Sequence, residues 1–337
     1  QVASDNYTFT EVKETHTIHV SFAINTYTLD VSGINGTVVK SPDQSSYDHG
    51  TTVSLSAETD TGYHFINWSG DASGTSNPLT VTMDGNKNIT ANFAINTYTL
   101  DVNAENGSVE KSPDQPSYDH GTTVSLTAVP YTGYHFIGWS GDASGTDNPL
   151  NVVMDGNKNI TANFAINTYT LDVNAENGSV EKSPDQPSYD HGTTVSLTAV
   201  PNTGYHFVSW NGDATGTENP LSVVMDGNKN ITASFAIDQF TITASAGDNG
   251  AIDPSGDVVV NYGSDQTFSL TPEIGYHVDS VLVDGIAQVI ADSYTFTEVK
   301  EAHSIHVTFA INSYTLDVNA ENGTVEKSPD QPNYDHG

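Results

Sequence analysis

The sequence predicts an all-β protein, a tandem array of small β-sheet modules of about 70 residues each, stacked head to tail into a rod. Three observations predict it. Apolar and polar residues alternate in short segments, which is typical of strands with one buried face. No long segment has the 3.6-residue period of a helix. Finally, stretches of about 70 residues recur along the chain with little change.

A recurring heptapeptide marks the repeat. Ala-Ile-Asn-Thr-Tyr-Thr-Leu begins at Ala23, Ala94 and Ala165, and a related heptapeptide begins at Ala236. The spacing is 71 residues, and the next copy begins 74 residues later at Ala310. The predicted modules are three of A type (23–93, 94–164 and 165–235), a divergent B-type module (236–309), and partial modules at 1–22 and 310–337. The four complete modules are called the first to the fourth below.

A longer period is superimposed on the first. Residues 1–50 align with residues 288–337 without a gap, and 37 of the 50 positions are identical. The offset of 287 residues equals three A-type modules and one B-type module. We therefore expect the sequence to be a window cut from a longer periodic polypeptide. The alternative is a chain with these termini, whose half-modules are completed by neighbouring chains.

The second module illustrates the predicted strands in order. Residues 98–102 alternate and predict the first strand. Asn106-Gly107 favours a tight hairpin turn, with Val109 in the returning strand. Residues 112–116 contain two prolines and predict a loop.

The second half of that module predicts a further group of strands. Alternation marks 124–128, and 134–139 are richly apolar. A polar loop follows at 141–149, and alternation returns at 150–154. Residues 160–164 complete the last strand, which gives about six strands in all. The junctions between modules lack the Gly, Pro or Ser of a flexible linker, so we expect limited bending there.

Composition excludes several functions. The chain has 42 acidic residues against 9 basic ones, for a net charge of -33. We therefore expect no nucleic-acid partner, because phosphates must be neutralised by Lys and Arg. There is no cysteine for a disulfide or a thiolate site, and no apolar run approaches the ~20 residues of a membrane span. We expect no membrane insertion in this segment.

The sequence does not predict an enzyme. It contains neither a Gly-x-Ser-x-Gly motif nor a phosphate-binding loop. Paired carboxylates are common in so acidic a chain and are weak evidence for acid–base catalysis. A site repeated in every small module is also unusual for catalysis. We expect no catalytic residues.

Tryptophan is the first candidate for ligand binding. Each A-type module has one tryptophan beside a Gly-Asp sequence. These residues are Trp68, Trp139 and Trp210. Such a tryptophan predicts either a platform on which sugars stack or an aromatic core residue. The B-type module has Val281 at this place, which fits the core and favours that alternative.

Metal binding offers a second set of candidates. The twelve histidines show no zinc-binding spacing. Calcium takes six to eight oxygen ligands, which acidic loops rich in Asp, Asn and Gly supply. We expect no cofactor, with calcium kept as an open alternative and turn formation as the other role of these aspartates. The calcium candidates are Asp71, Asp84, Asp142, Asp155, Asp213 and Asp226.

The ordered set of motifs resembles a known family. The motifs are Tyr-Thr-Leu-Asp-Val, Asn-Gly-Ser-Val, Gly-Thr-Thr-Val-Ser-Leu-Thr-Ala, Gly-Tyr-His-Phe-Ile-Gly-Trp-Ser-Gly-Asp and Ile-Thr-Ala-Asn-Phe. They are similar to the divergent form of the internalin-type B-repeats of bacterial surface proteins. This resemblance implies β-grasp-like modules, secretion, and a stalk or adhesive role. It supplies no catalytic residues.

The predicted function is a structural segment of a long extracellular or cell-surface fibre, stalk or filament, with an adhesive role. The alternative is an array of glycan- or ligand-binding modules that acts through avidity. The expected partners are copies of the same chain, associating laterally or end to end, or glycans of a cell surface or matrix. The expected location is extracellular or at the cell surface.

Overall fold

The computed structural model describes residues 5–337, and these contain no helix. Strands make up 56% of the chain, in small sheets that repeat about every 70 residues, so the predicted all-β fold is confirmed. The structure differs from the expected β-grasp-like fold in one respect. The described residues contain no counterpart of the β-grasp helix. The chain divides into two compact units, Gln1–Ala165 and Ile166–Gly337.

The strands are numbered along the chain. The first module contains β1 (Thr26–Tyr27), β2 (Leu29–Gly33), β3 (Gly36–Ser41), β4 (Tyr47–Asp48), β5 (Thr52–Thr59), β6 (Tyr63–Gly70), β7 (Leu79–Thr82) and β8 (Lys87–Ile95). The second contains β9 (Thr97–Tyr98), β10 (Leu100–Ala104), β11 (Gly107–Ser112), β12 (Tyr118–Asp119), β13 (Thr123–Pro130), β14 (Tyr134–Gly141), β15 (Leu150–Val153) and β16 (Lys158–Ile166).

The remaining strands follow the same scheme. The third module contains β17 (Thr168–Tyr169), β18 (Leu171–Ala175), β19 (Gly178–Ser183), β20 (Tyr189–Asp190), β21 (Thr194–Pro201), β22 (Tyr205–Gly212), β23 (Leu221–Val224) and β24 (Lys229–Ile237). The fourth contains β25 (Gln239–Ala246), β26 (Gly250–Asp253), β27 (Gly256–Asn261), β28 (Gln266–Pro272), β29 (Tyr276–Val283), β30 (Ile286–Ala287), β31 (Ser293–Phe296) and β32 (His303–Ile311). The last partial module contains β33 (Ser313–Tyr314) and β34 (Tyr334–Asp335).

Each A-type module is built from two three-stranded sheets. In the first module one sheet has the order β2-β8-β6, with β2 parallel and β6 antiparallel to the central β8. The other has the order β3-β5-β7 and is antiparallel throughout. The second and third modules repeat both orders. The first and last long strands of a module are therefore neighbours, which closes the module on itself.

The core of a module lies between its two sheets. In the second module the inward residues of β13, Val124 and Leu126, are fully buried. They share one apolar cluster with Ile160 and Ala162 of β16, in the other sheet. Burial of alternate residues is the physical basis of the alternation in the sequence. The first and third modules have equivalent clusters.

The predicted hairpin at Asn106-Gly107 is wrong. Asn106 does adopt the left-handed conformation of a tight turn, with φ of 65°. The strands on either side do not pair, however, because β10 pairs with β16 and β11 pairs with β13. The ring of Phe164 lies against Gly107, where a Cβ would collide with it. The turn therefore carries the chain over this ring from one sheet to the other.

A short pair of strands was not predicted. The alternating segment 98–102 is interrupted at Thr99, so that β9 pairs with β12 while β10 belongs to the main sheet. Tyr118 of β12 is buried, and its hydroxyl donates to the Pro113 carbonyl and accepts from the Gln115 amide, each at 3.1 Å. This tyrosine fixes the predicted proline loop at 112–116 against the module.

The fourth module keeps the two-sheet plan with one addition. Its larger sheet has five strands in the order β27-β25-β32-β29-β30. β27 pairs with the outer side of β25, which in the A-type modules is an open edge along β2, β10 and β18. Val281 is buried at the place where the A-type modules have tryptophan.

Candidate functional site

The recurring tryptophans lie in the cores of their modules. The exposed fractions of Trp68, Trp139 and Trp210 are 1%, 4% and 1%. In the second module the Trp139 ring lies 5.2 Å from that of Phe136, and its indole N–H donates to the Asp147 carbonyl at 2.8 Å. In this arrangement almost no ring surface is available for a sugar, and the indole connects the core to the loop at 142–149.

The six candidate aspartates are distributed over two kinds of contact. In the Asp-Gly turns the carboxylates form ion pairs at 2.7 Å with the lysine three residues on, as Asp155 does with Lys158. The same pairs join Asp84 to Lys87 and Asp226 to Lys229. The hydrogen bond and the charge of the lysine hold the pKa of each of these carboxyls below its ordinary value of 3.8.

The other three aspartates accept backbone hydrogen bonds. Asp142 accepts from the Asn159 amide at 2.7 Å. Asp71 and Asp213 make the same bond to Asn88 and Asn230. These bonds attach the loop to the start of β16 and its equivalents. Within residues 5–337, no three His, Asp or Glu side chains come together in a way that could hold a metal ion.

The junctions between modules within each unit repeat one set of contacts. In the first unit, Asn96 follows β8 and precedes β9. Its amide donates to the Gly62 carbonyl of the first module, and its carbonyl accepts from the His120 amide of the second, both at 2.8 Å. The Asn96 side-chain oxygen lies 2.8 Å from Nδ1 of His64. The main chain of one residue is therefore bonded to both modules, and its side chain adds a contact to the first.

The second unit contains two more junctions of the same design. At the first, Asp238 donates to Gly204, accepts from the Tyr262 amide, and contacts Nδ1 of His206 at 2.7 Å. The next repeats these contacts with Asn312 at the centre, at 2.7 Å to the Gly275 carbonyl, 2.8 Å from the His336 amide and 2.9 Å from Nδ1 of His277. The bonding pattern is kept where the central residue changes from Asn to Asp.

Glycine is required at these junctions for two reasons. Gly62 has φ of 83°, a conformation that other residues rarely adopt. A Cβ there would also collide with the ring of His120. Gly204 and Gly275 have φ of 82° and 89°, and face the rings of Tyr262 and His336 in the same way. An aromatic ring of the following module thus lies directly on the backbone of the preceding one.

A family model for the divergent InlB B-repeat domain matches three consecutive copies, residues 27–97, 98–168 and 169–239. These copies cover more than half of the chain. The chain belongs to the divergent InlB B-repeat family. The resemblance predicted from its motifs is thereby confirmed. Such B-repeat domains are typical of bacterial surface proteins and are found in structural or surface proteins that are not known enzymes.

Two further comparisons add little to the B-repeat assignment. No curated protein matches the chain. Among solved structures, the Bacillus anthracis TIE protein matches with 9% sequence identity and a TM-score of 0.35. The match covers 81% of this chain and 66% of that protein. A likeness at this level carries no argument about function. Within the described residues of this B-repeat chain, no helix is long and apolar enough to cross a membrane.

The predicted B-repeat boundaries fall inside strands. β8 continues to Ile95, past the predicted end at residue 93, and its last residues pair with Tyr63 and His64 of the first module. The histidine, the asparagine and the glycine of a junction are separated by up to 61 positions in the sequence. Their recurrence in the A-type modules is visible in the sequence, but only the fold shows that they meet.

Proposed function

We propose that this chain is a structural segment of a long extracellular or cell-surface protein, serving as a stalk or fibre that holds other parts at a distance. The observation that supports this most directly is the junction between modules. Each of the three junctions within the two units has the same main-chain bonds, the same histidine contact and a ring packed on glycine. Such contacts restrict bending in a way that a flexible linker does not.

The charge of the chain supports the same function. A net charge of -33 over 337 residues makes distant parts of the chain repel one another and keeps a long polypeptide soluble. Lateral association between copies would bring like charges together, so we favour end-to-end extension over bundles. The junction contacts are local and therefore unaffected by this repulsion.

Small-angle X-ray scattering tests the proposal. The full chain is expected to be elongated, with a maximum dimension on the order of 150 Å and a radius of gyration well above the ~20 Å of a compact protein of this length. Replacing the junction glycines (Gly62→Ala, Gly204→Ala and Gly275→Ala) should leave the circular dichroism spectrum nearly unchanged. The distance distribution should broaden, because each new Cβ collides with a ring of the next module.

A matched variant controls for the loss of three glycines. Gly85→Ala, Gly156→Ala and Gly227→Ala place Cβ atoms in open space in the Asp-Gly turns, so this variant should scatter like the parent chain. A compact parent chain would refute the proposal. So would junction variants whose scattering matches that of the parent.

A further inference from the structure

We propose that the second and third modules each carry a shallow groove that binds a neutral saccharide. The groove of the second module lies over the parallel strands β10 and β16, beside the turn at Asn106, and has a volume of about 590 Å³. This is within the range of about 300–1,000 Å³ that is usual for ligand sites. Its lining includes Asn103, Glu105, Asn106, Ile137, Asn163 and Phe164.

The third module has the same groove. Its volume is about 400 Å³, and its lining includes Asn174, Glu176, Asn177, Thr232 and Phe235, the equivalents of the residues in the second module. The two grooves lie in different units, so each is complete within its own unit. The two linings differ in that Ser234 replaces Asn163 and no equivalent of Ile137 lines the third-module groove, but the other side chains recur, which indicates a feature of the module.

One asparagine of each groove is held in place before any ligand arrives. The Asn103 amide donates to the side-chain oxygen of Asn159 at 2.8 Å, which fixes the orientation of Asn103 and leaves its own oxygen as an acceptor. Asn174 and Asn230 repeat this bond at 2.9 Å. A side chain already fixed in its bound orientation loses less entropy when a ligand binds.

The chemistry of the lining suits a neutral sugar. The carboxylate of Glu105 accepts hydrogen bonds from hydroxyl groups, and carboxamides both donate and accept. Phe164 and the half-exposed Ile137 supply an apolar wall for the C–H groups of a sugar ring. No lysine lines either groove and the chain contains no arginine, so an anionic ligand would be repelled. One carboxylate per groove is too few to hold calcium.

The first module supplies a natural contrast. Ser32 stands where the second module has Asn103, and its hydroxyl lies 3.1 Å from that of Thr90, so these two polar groups satisfy each other. Ile34 stands in place of Glu105 and is 82% exposed. The first module therefore lacks the amide acceptor and the carboxylate while keeping the same fold.

The experiment uses the full chain on an array of neutral oligosaccharides of glucose, galactose, mannose and N-acetylhexosamines, printed beside sialylated and sulfated ones. We expect binding to neutral members only. A variant with Asn103→Ser, Glu105→Ile, Asn174→Ser and Glu176→Ile gives both grooves the residues of the first module, so it should remain folded. Its affinity should fall at least about tenfold, because hydrogen bonds to a charged group are lost.

The control variant carries Glu110→Val and Glu181→Val, which remove two carboxylates outside the grooves and introduce the residue that the first module has as Val39. It should bind like the parent.

The inference is overturned if no neutral oligosaccharide binds, if only anionic ones bind, or if the groove variant binds as well as the parent. It is also overturned if the control variant loses binding equally, or if titration with calcium chloride reveals a cation site that the groove variant lacks. None of these outcomes depends on whether the chain is a stalk.

Discussion

Each tryptophan of the A-type modules stabilises both a core and a loop. Replacement of Trp139 by alanine removes a large buried ring and the indole bond to Asp147. We expect the second module to lose about 3–5 kcal/mol of unfolding free energy, measured by urea denaturation with hydrogen exchange resolved to that module. Trp139→Phe keeps most of the apolar volume and should cost less.

The outcome separates the two roles that the sequence leaves open. A folded Trp139→Ala module of unchanged stability that had lost a glycan ligand would contradict the core assignment. The richly apolar segment 134–139 placed this residue on a strand. It could not show the bond to the Asp147 carbonyl, since that bond depends on how a loop folds back eight residues later.

The ion pair of Asp155 with Lys158 predicts a pH dependence. The lysine holds the pKa of the Asp155 carboxyl below 3.8, mainly through its hydrogen bond and then through its charge. The folded state therefore favours the carboxylate, so the pair stabilises the module fully above pH 3.8. This contribution is lost as the pH falls through the lowered pKa.

Carboxyl carbon shifts of Asp155 followed by NMR during acid titration measure this directly. The midpoint should lie below 3.8 in the parent and rise in Lys158→Met. Lys111→Met removes an equal charge from the same module, where Lys111 pairs with Asp114, and should leave the midpoint unchanged. If the titration midpoint of Asp155 were the same in Lys158→Met as in the parent, the ion pair would not form in solution.

At the scale of elements, the loop between β14 and β15 is held by an asparagine. Asn148 accepts from the Ala128 amide and donates to the Ala128 carbonyl, both at 2.9 Å, so its side chain takes the place of a neighbouring strand. Asn77 and Asn219 do the same in the other A-type modules.

We expect Asn148→Ala to destabilise the second module by about 1–3 kcal/mol, because two backbone groups of β13 lose their partners. Hydrogen exchange in the peptide that contains Ala128 should accelerate. Asn151→Ala serves as the control, since Asn151 is exposed on β15 and is Thr80 or Ser222 in the other modules. Equal hydrogen-exchange rates of the Ala128 peptide in both variants would show that the Asn148 side chain does not stabilise β13.

The sequence predicted the strands better than their partners. Alternation at 124–128 and 150–154 correctly located β13 and β15, since burial of one face imposes that pattern locally. The strand after Asn106-Gly107 was given the wrong neighbour. Turn chemistry is local, whereas the choice of sheet depends on the Phe164 ring, which lies 57 positions further along. The saccharide groove depends on residues just as distant and was not predicted.

At the scale of the whole molecule, the proposed stalk function depends on the junctions. The absence of a linker in the sequence predicted limited bending, and the bonding around Asn96 supplies the physical cause within the first unit. The same repetition would present the proposed grooves at regular intervals along a polymer, where weak sites gain from avidity.

We propose that the residues around Asn96 hold the first and second modules in one orientation. Residual dipolar couplings of backbone amides in the first and second modules of the full chain, weakly aligned in phage, test it most directly. We predict that a single alignment tensor fits both modules, and that Gly62→Ala requires two tensors while Gly85→Ala still requires one. Two tensors of different magnitude in the parent chain would contradict the claim.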